Sequence, residues 1–189
     1  GGYTATVHEG RITQYGPNAT VYRRPLDLTT ARVFSEPPIN TAQVVKRGER
    51  ISLSERLSWT AEGSLRSLPD GAYTIGLRPH HVRPAPGRGG GVQVDCRVLI
   101  AEISGSESVI HFDLGGLTWV SLSHGVRGFK VGESARFELD VAKCLVFGPH
   151  NYTYFFDPAA GKWTRNTQLN PYRPSFYTTT LVSTRTGLI

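Results

Sequence analysis

Along residues 92–100 the side chains alternate strictly: Val92, Val94, Cys96, Val98 and Ile100 are apolar, and Gln93, Asp95 and Arg97 between them are polar. A strand sends successive side chains to opposite faces, so this period of two predicts a strand with one face in a core and one in water. The small polar run from Glu102 to Glu107 suits a turn. Alternation then resumes with Ile110, Phe112 and Leu114 inward and His111 and Asp113 outward, completing a hairpin. Upstream, Tyr73, Ile75 and Leu77 alternate in the same way and lead into Arg78-Pro79-His80-His81. Downstream, Val120 and Leu122 precede a glycine-rich turn, and Ala135, Phe137, Leu139 and Val141 share a face of another strand. Tyr152, Tyr154 and Phe156 outline one more before Asp157-Pro158.

The first forty residues read differently. Residues 5–14 form two short strands joined at Glu9-Gly10, where glycine supplies the turn. Pro17 opens a short helix that stops before Pro25, and Asp27 is the N-cap of a second, which Pro37-Pro38 ends. Beyond Val44 the helical signals give way to turns at Gly48-Glu49-Arg50, Glu62-Gly63-Ser64 and Pro69-Asp70-Gly71. The glycines of residues 84–91 lead into a strand and lack a closing Gly-Lys-Ser/Thr, so they do not form a phosphate-cradling loop. Many short strands with frequent turns predict a mainly β protein, a small barrel or sandwich.

Composition narrows the chemistry. The 189 residues suffice for one ordinary core with appendages. The chain lacks methionine and opens on Gly1-Gly2-Tyr3, which leads us to expect a piece of a longer protein. No apolar run is long enough to cross a bilayer, and no signal peptide is expected. The net charge is +6, but its arginines are scattered over polar strand positions such as Arg97 and Arg136, which argues against a nucleic-acid partner. Cys96 and Cys144 read as buried, reduced thiols. Histidines 80, 81, 111 and 124 show no zinc-ligand spacing, and no nucleophile–base signature is visible, so no metal and no catalytic residue is expected. Arg78 is expected to fork onto Glu102 or Glu107 as a structural pin. Trp119, opposite the inward Val120, is expected to be exposed. With Tyr152, Tyr154 and Phe155 it is a candidate dimer surface.

Several of these stretches resemble one family. Gly76-Leu77-Arg78-Pro79-His80-His81 resembles the G-I-R-P-E-H signature of the regulatory, TOBE-type domain of ABC-importer ATPase subunits, such as those of maltose and glycerol-phosphate importers. Ala101 to Ser108 resembles that domain's V-E-x-L-G-x-E-T hairpin, which adds Glu102, Gly105, Ser106 and Glu107 to Arg78, Pro79, His80 and His81 as motif residues. Position 80 departs from the family, which has glutamate there. Gly10, Ile12, Gln14, Gly16-Pro17, Tyr22, Pro25, Ala31, Pro37 and Asn40 follow the spacing with which the family's ATPase domains close. Leu139 to Phe147 resembles its last segment, with Gly148 in place of an aspartate.

The resemblance implies an OB-like β-barrel, single or as two stacked units, preceded by a short hairpin and helices left over from an ATPase domain. The corresponding division is 1–43, 44–165 and an extended tail, 166–189. The implied function is the regulatory and dimerisation portion of the ATP-binding subunit of an importer for sugars or related solutes. The chain lacks a Walker A loop, an L-S-G-G-Q signature and an aspartate–glutamate pair, so ATP and magnesium would belong to the intact subunit. Implied partners are a second copy and the membrane permease, at the cytoplasmic face of the membrane and without direct insertion. The alternative is a stand-alone OB-fold module for single-stranded nucleic acid or a small ligand. Against it, aromatics and arginines are not interleaved on one strand face.

Overall fold

The computed structural model describes residues 1–86 and 89–165. The expected tail from residue 166 lies outside the described residues. Strands β1 (Tyr3–His8) and β2 (Arg11–Pro17) form a separate two-stranded sheet. Glu9 and Gly10 turn it with φ of 49° and 73°, the left-handed pair that a two-residue hairpin loop requires. Pro17 stands at the N-cap of α1 (Asn18–Arg23), one residue ahead of the helix rather than within it. Asp27 caps α2 (Leu28–Val33) by accepting the Thr30 N–H at 2.8 Å.

Twelve further strands follow among the described residues: β3 (Asn40–Arg47), β4 (Arg50–Ser52), β5 (Ser58–Thr60), β6 (Gly71–Leu77), β7 (Val82–Pro84), β8 (Val92–Ser104), β9 (Glu107–Leu114), β10 (Leu117–His124), β11 (Ser134–Leu139), β12 (Leu145–Phe147), β13 (Thr153–Asp157) and β14 (Lys162–Arg165). Five make an antiparallel sheet in the order β10-β9-β8-β11-β7. Its two ends come together: on β10, Ser121 Oγ donates to the Val82 carbonyl of β7 at 2.8 Å. A nearly closed five-stranded sheet is an OB-like barrel. The other seven strands run β14-β13-β12-β6-β3-β4-β5, and β3 passes unbroken through residues 43 and 44.

One hydrophobic core joins the two sheets. Val94, Cys96, Val98, Ile110, Phe112 and Phe137 from the first meet Val44, Ile51, Trp59, Ile75, Leu77 and Val146 from the second. Phe112 and Phe137 stack with ring centroids 4.2 Å apart. β6 lies between β12 and β3, with Tyr73 to Leu77 buried without a break, because both of its faces are covered. A side chain at Gly76 would stand 2.9 Å from both Ile39 and Phe147, so glycine is what lets α2 and its neighbours settle on the sheet.

Two sequence expectations fail here for physical reasons. Ile100 is not inward. Val98 pairs with Phe112 but Ile100 pairs with His111, so Leu99 is an extra, bulged residue. A bulge shifts the alternation by one, turning Ile100 out (48% exposed) and Ala101 in. Trp119 is not exposed either: it retains 1% of its surface, and its indole N–H donates to the Thr41 carbonyl at 3.3 Å. β10 is the seam between the sheets, so Trp119, Val120 and Ser121 are buried consecutively and alternation carries no information about exposure. At the same seam the Asn40 carboxamide imitates a peptide group. Its Nδ2 donates to the Val120 carbonyl at 2.8 Å and its Oδ1 accepts the Val120 N–H at 2.6 Å.

Candidate functional site

The Arg78 corner follows the buried end of β6, where Pro79 to His81 form one 3-10 turn before β7. Arg78 is 6% exposed. The expected fork onto a carboxylate is not what the structure shows: the guanidinium donates to the Phe34 carbonyl and to the Tyr22 carbonyl, each at 2.6 Å. It also lies over the Tyr22 ring at 3.8 Å. Tyr22 is in the last turn of α1, and Phe34 is the C-cap of α2. Carbonyls at helix C-termini lack intrahelical partners and carry partial negative charge, so one buried cation holds both helix ends to the barrel. Arg78 is thus a structural pin, with partners on the other side of the chain. Neither short helix ends on glycine: their C-caps are Arg24 and Phe34. Burial pushes the guanidinium pKa down from its ordinary value, partly offset by Tyr22.

His80 and His81 pack ring to ring, centroids 4.2 Å apart. Burial, then Arg78 and Arg83, hold the His80 pKa below its ordinary value. His81 is pushed down to about 4 by burial first, then by His80, Arg83 and Lys143, with Asp140 opposing them. Its Nδ1 is buried without a hydrogen-bond partner among the described residues. Both imidazoles are therefore neutral at neutral pH.

The hairpin motif lies elsewhere on the barrel. Glu102 is exposed, and Glu107 sits 3.5 Å from His124 rather than on Arg78. Gly105, with φ of 58°, opens a two-residue turn with Ser106. The tip is tied to the loop after β10: Gly125 N–H donates to the Ser106 carbonyl at 2.6 Å, Ser108 Oγ donates to the Gly125 carbonyl at 2.8 Å, and Arg127 N–H donates to Ser108 Oγ at 2.8 Å.

The aromatic candidates are half-buried by their own chain. Tyr152 lies under the Arg165 guanidinium at 4.0 Å, and Phe155 under Arg24 at 5.3 Å. Tyr154 meets Tyr73 edge-on at 6.2 Å and covers Gly148, where a Cβ would run into its ring. Glycine at position 148 leaves room for that ring. Both cysteines are free, and burial pushes their thiols up to about 12. No group of three or more His, Cys, Asp or Glu converges among the described residues.

Two exposed apolar surfaces escaped the sequence reading. On the β1–β2 hairpin the polar Thr6 and Gln14 are buried: Thr6 Oγ1 lies 3.4 Å from Thr30 Oγ1, and Gln14 Nε2 donates to the Arg24 carbonyl at 2.9 Å. The apolar Tyr3, Val7, Ile12 and Tyr15 face outward, with Tyr3 68% and Val7 61% exposed. On the barrel, Ile100, Ile103, Val126 and Val131 are exposed. The Gly132 N–H bond to the Val98 carbonyl, 2.8 Å, places Val131 near the bulge that turns Ile100 out.

A nearly closed OB-like barrel with this corner and hairpin defines a known class of domain. Residues 75–147, from the end of β6 through β12, match the TOBE domain family. The chain is 31% identical to the sn-glycerol-3-phosphate import ATP-binding protein UgpC of Chromobacterium violaceum over 64% of its own length and 33% of that protein. It is 24% identical to the xylose/arabinose import ATP-binding protein XacK of Haloferax volcanii over 89% of the chain and 43% of that protein. To the sulfoquinovosyl glycerol transport ATP-binding protein SmoE of Agrobacterium fabrum it is 30% identical over 56% of the chain and 30% of that protein. The chain therefore spans between a third and a half of the two first-named relatives, both of which are named as import ATP-binding proteins.

Proposed function

We propose that this chain is the C-terminal regulatory and dimerisation portion of the ATP-binding subunit of an ABC importer for a sugar or related solute. The TOBE match and the names of the similar proteins support the class. The observation that carries the proposal furthest is the inverted β1–β2 hairpin. A two-stranded sheet that buries Thr6 and Gln14 and leaves Tyr3 and Val7 exposed offers those two side chains to a partner surface. In this reading the cover is the ATP-binding body of the same subunit. ATP and magnesium are held by that body, and the barrel hangs from it through α1, α2 and Arg78. The permease carries the assembly at the cytoplasmic face of the membrane. No helix of the described residues is long and apolar enough to cross a membrane.

The test is assembly in trans. The ATP-binding body of the subunit, produced as a separate tagged polypeptide, should retain this chain on a column, and Val7→Glu should abolish retention without lowering the chain's melting temperature. Failure of the unaltered chain to be retained would contradict the assignment of the hairpin face. Self-association is the second half of the proposal. The exposed side chains Ile100, Ile103, Val126 and Val131 supply the apolar patch that buried Trp119 does not.

A further inference from the structure

Strand β8 outruns its neighbour on one side. Toward β9 it is paired as far as Ser104, which stands opposite Glu107 across the Gly105-Ser106 turn. Toward β11 strand pairing ends at Arg97, opposite Ser134. Val98 is the last residue held there: its N–H donates to the Glu133 carbonyl at 2.9 Å, and its carbonyl accepts the Gly132 N–H at 2.8 Å. Beyond Val98 no main-chain bond reaches that edge among the described residues.

The two-residue turn fixes which groups face the open edge. Residues flanking such a turn form a hydrogen-bonded pair, and these pairs recur at every second position. Ser104, Glu102 and Ile100 therefore bond to Glu107, Val109 and His111. Ala101 and Ile103, the positions between, aim their N–H and carbonyl groups away from β9 and at the open edge. The side chains beside them are wet: Ile100, Glu102, Ile103 and Ser104 are all exposed. An unpaired strand end carrying exposed isoleucines is a template for another strand.

We propose that two copies of this chain join by antiparallel pairing of residues 99–103 of β8, with the two-fold axis at Ala101, so that one sheet runs through both barrels. The proposal rests on the self-association put forward above and gives it a geometry. A second copy fits because antiparallel pairing of a segment with itself is two-fold by construction. Charge and space select the register. An axis at Ile100 would drive the partner's Glu102 and Ile103 into the edge that Gly132, Glu133 and Ser134 already occupy. An axis at Glu102 would set two carboxylates directly opposite, a destabilising pair. The axis at Ala101 avoids both, placing Ile100 opposite the partner's Glu102 and Leu99 opposite the partner's Ile103.

Amide exchange resolved by NMR tests the pairing at a concentration where the dimer predominates and after roughly hundredfold dilution. The Ala101 and Ile103 N–H groups should exchange about tenfold more slowly in the concentrated sample, while the Val109 N–H changes less than about twofold. Ala101→Pro removes an N–H that has no partner within one copy and one bond from each side of the axis. It should weaken the dimer at least about tenfold. If Ala101→Pro fails to fold, exchange on the native chain decides the matter. For the register, Ile100→Cys and Glu102→Cys chains are mixed, which sets the new thiols on residues with Cα atoms about 4.5 Å apart, within reach of a disulfide. The mixed disulfide should form faster than either self-linked product, Cys96 and Cys144 being slowed by burial. A dimer in which Ala101 and Ile103 exchange freely would overturn the edge pairing, and faster linking of Glu102→Cys to itself would overturn the register. A strict monomer at every concentration would overturn the self-association as well.

Discussion

Replacing Asn40 by alanine isolates the seam between the two sheets. The carboxamide is 4% exposed and satisfies both main-chain groups of Val120, itself 7% exposed, at 2.8 and 2.6 Å. Alanine leaves the Val120 N–H and carbonyl without partners in a site closed to water. Each stranded buried group costs about 1–3 kcal/mol, which gives about 3–5 kcal/mol for the pair once partial relaxation is allowed. For a chain of this size that corresponds to a fall of about 6–20 °C in melting temperature. Asn40→Asp sharpens the test. The carboxylate still accepts the Val120 N–H but faces the Val120 carbonyl with no proton to donate, so it should be destabilised at neutral pH. Protonation restores the donor, raising the acid's pKa in the folded state, so part of the loss should return as pH falls below the ordinary carboxylate range. Urea unfolding monitored by tryptophan fluorescence provides the measurement. A loss below about 0.5 kcal/mol for Asn40→Ala would refute the reasoning, since it would mean that water reaches Val120 at the seam.

Val98 is fully buried beside the β8 bulge, so Val98→Asp should cost more than about 4 kcal/mol and leave no cooperative thermal transition by circular dichroism. Gly148→Asp should displace the Tyr154 ring and destabilise the chain by about 1–3 kcal/mol; an unchanged melting temperature would contradict the packing seen there. Cys96 and Cys144, with thiols pushed up to about 12, should react with a thiol reagent at about pH 8 at least about a hundredfold more slowly in the folded chain than in denaturant.

How much of this was legible beforehand depended on burial geometry. Strands with one wet face, β8 to Val98 and β9 throughout, announced themselves by alternation, and local chemistry announced the Glu9-Gly10 turn and the Asp27 cap. Alternation failed where a bulge slipped the phase at Leu99 and where β10 was covered on both sides, and that is how Trp119 came to be misplaced on the surface. Motif resemblance marked Arg78 as important but not its partners. Both acceptors are main-chain carbonyls, 44 and 56 residues away in sequence, and a carbonyl leaves no trace in residue identity. The inverted hairpin was readable in principle, since Tyr3, Ala5 and Val7 alternate with threonines, but which face meets the chain's own helices is decided by tertiary packing.

The proposed pairing of two copies of this chain through the barrel is tested most directly by sedimentation equilibrium over a wide concentration range. A two-fold pair uses the same patch on each copy, and a tether reinforced elsewhere in an assembly can be weak alone. The expected result is a concentration-dependent monomer–dimer equilibrium that Ile103→Glu shifts to monomer with the melting temperature unchanged; a strict monomer at every concentration would contradict the claim.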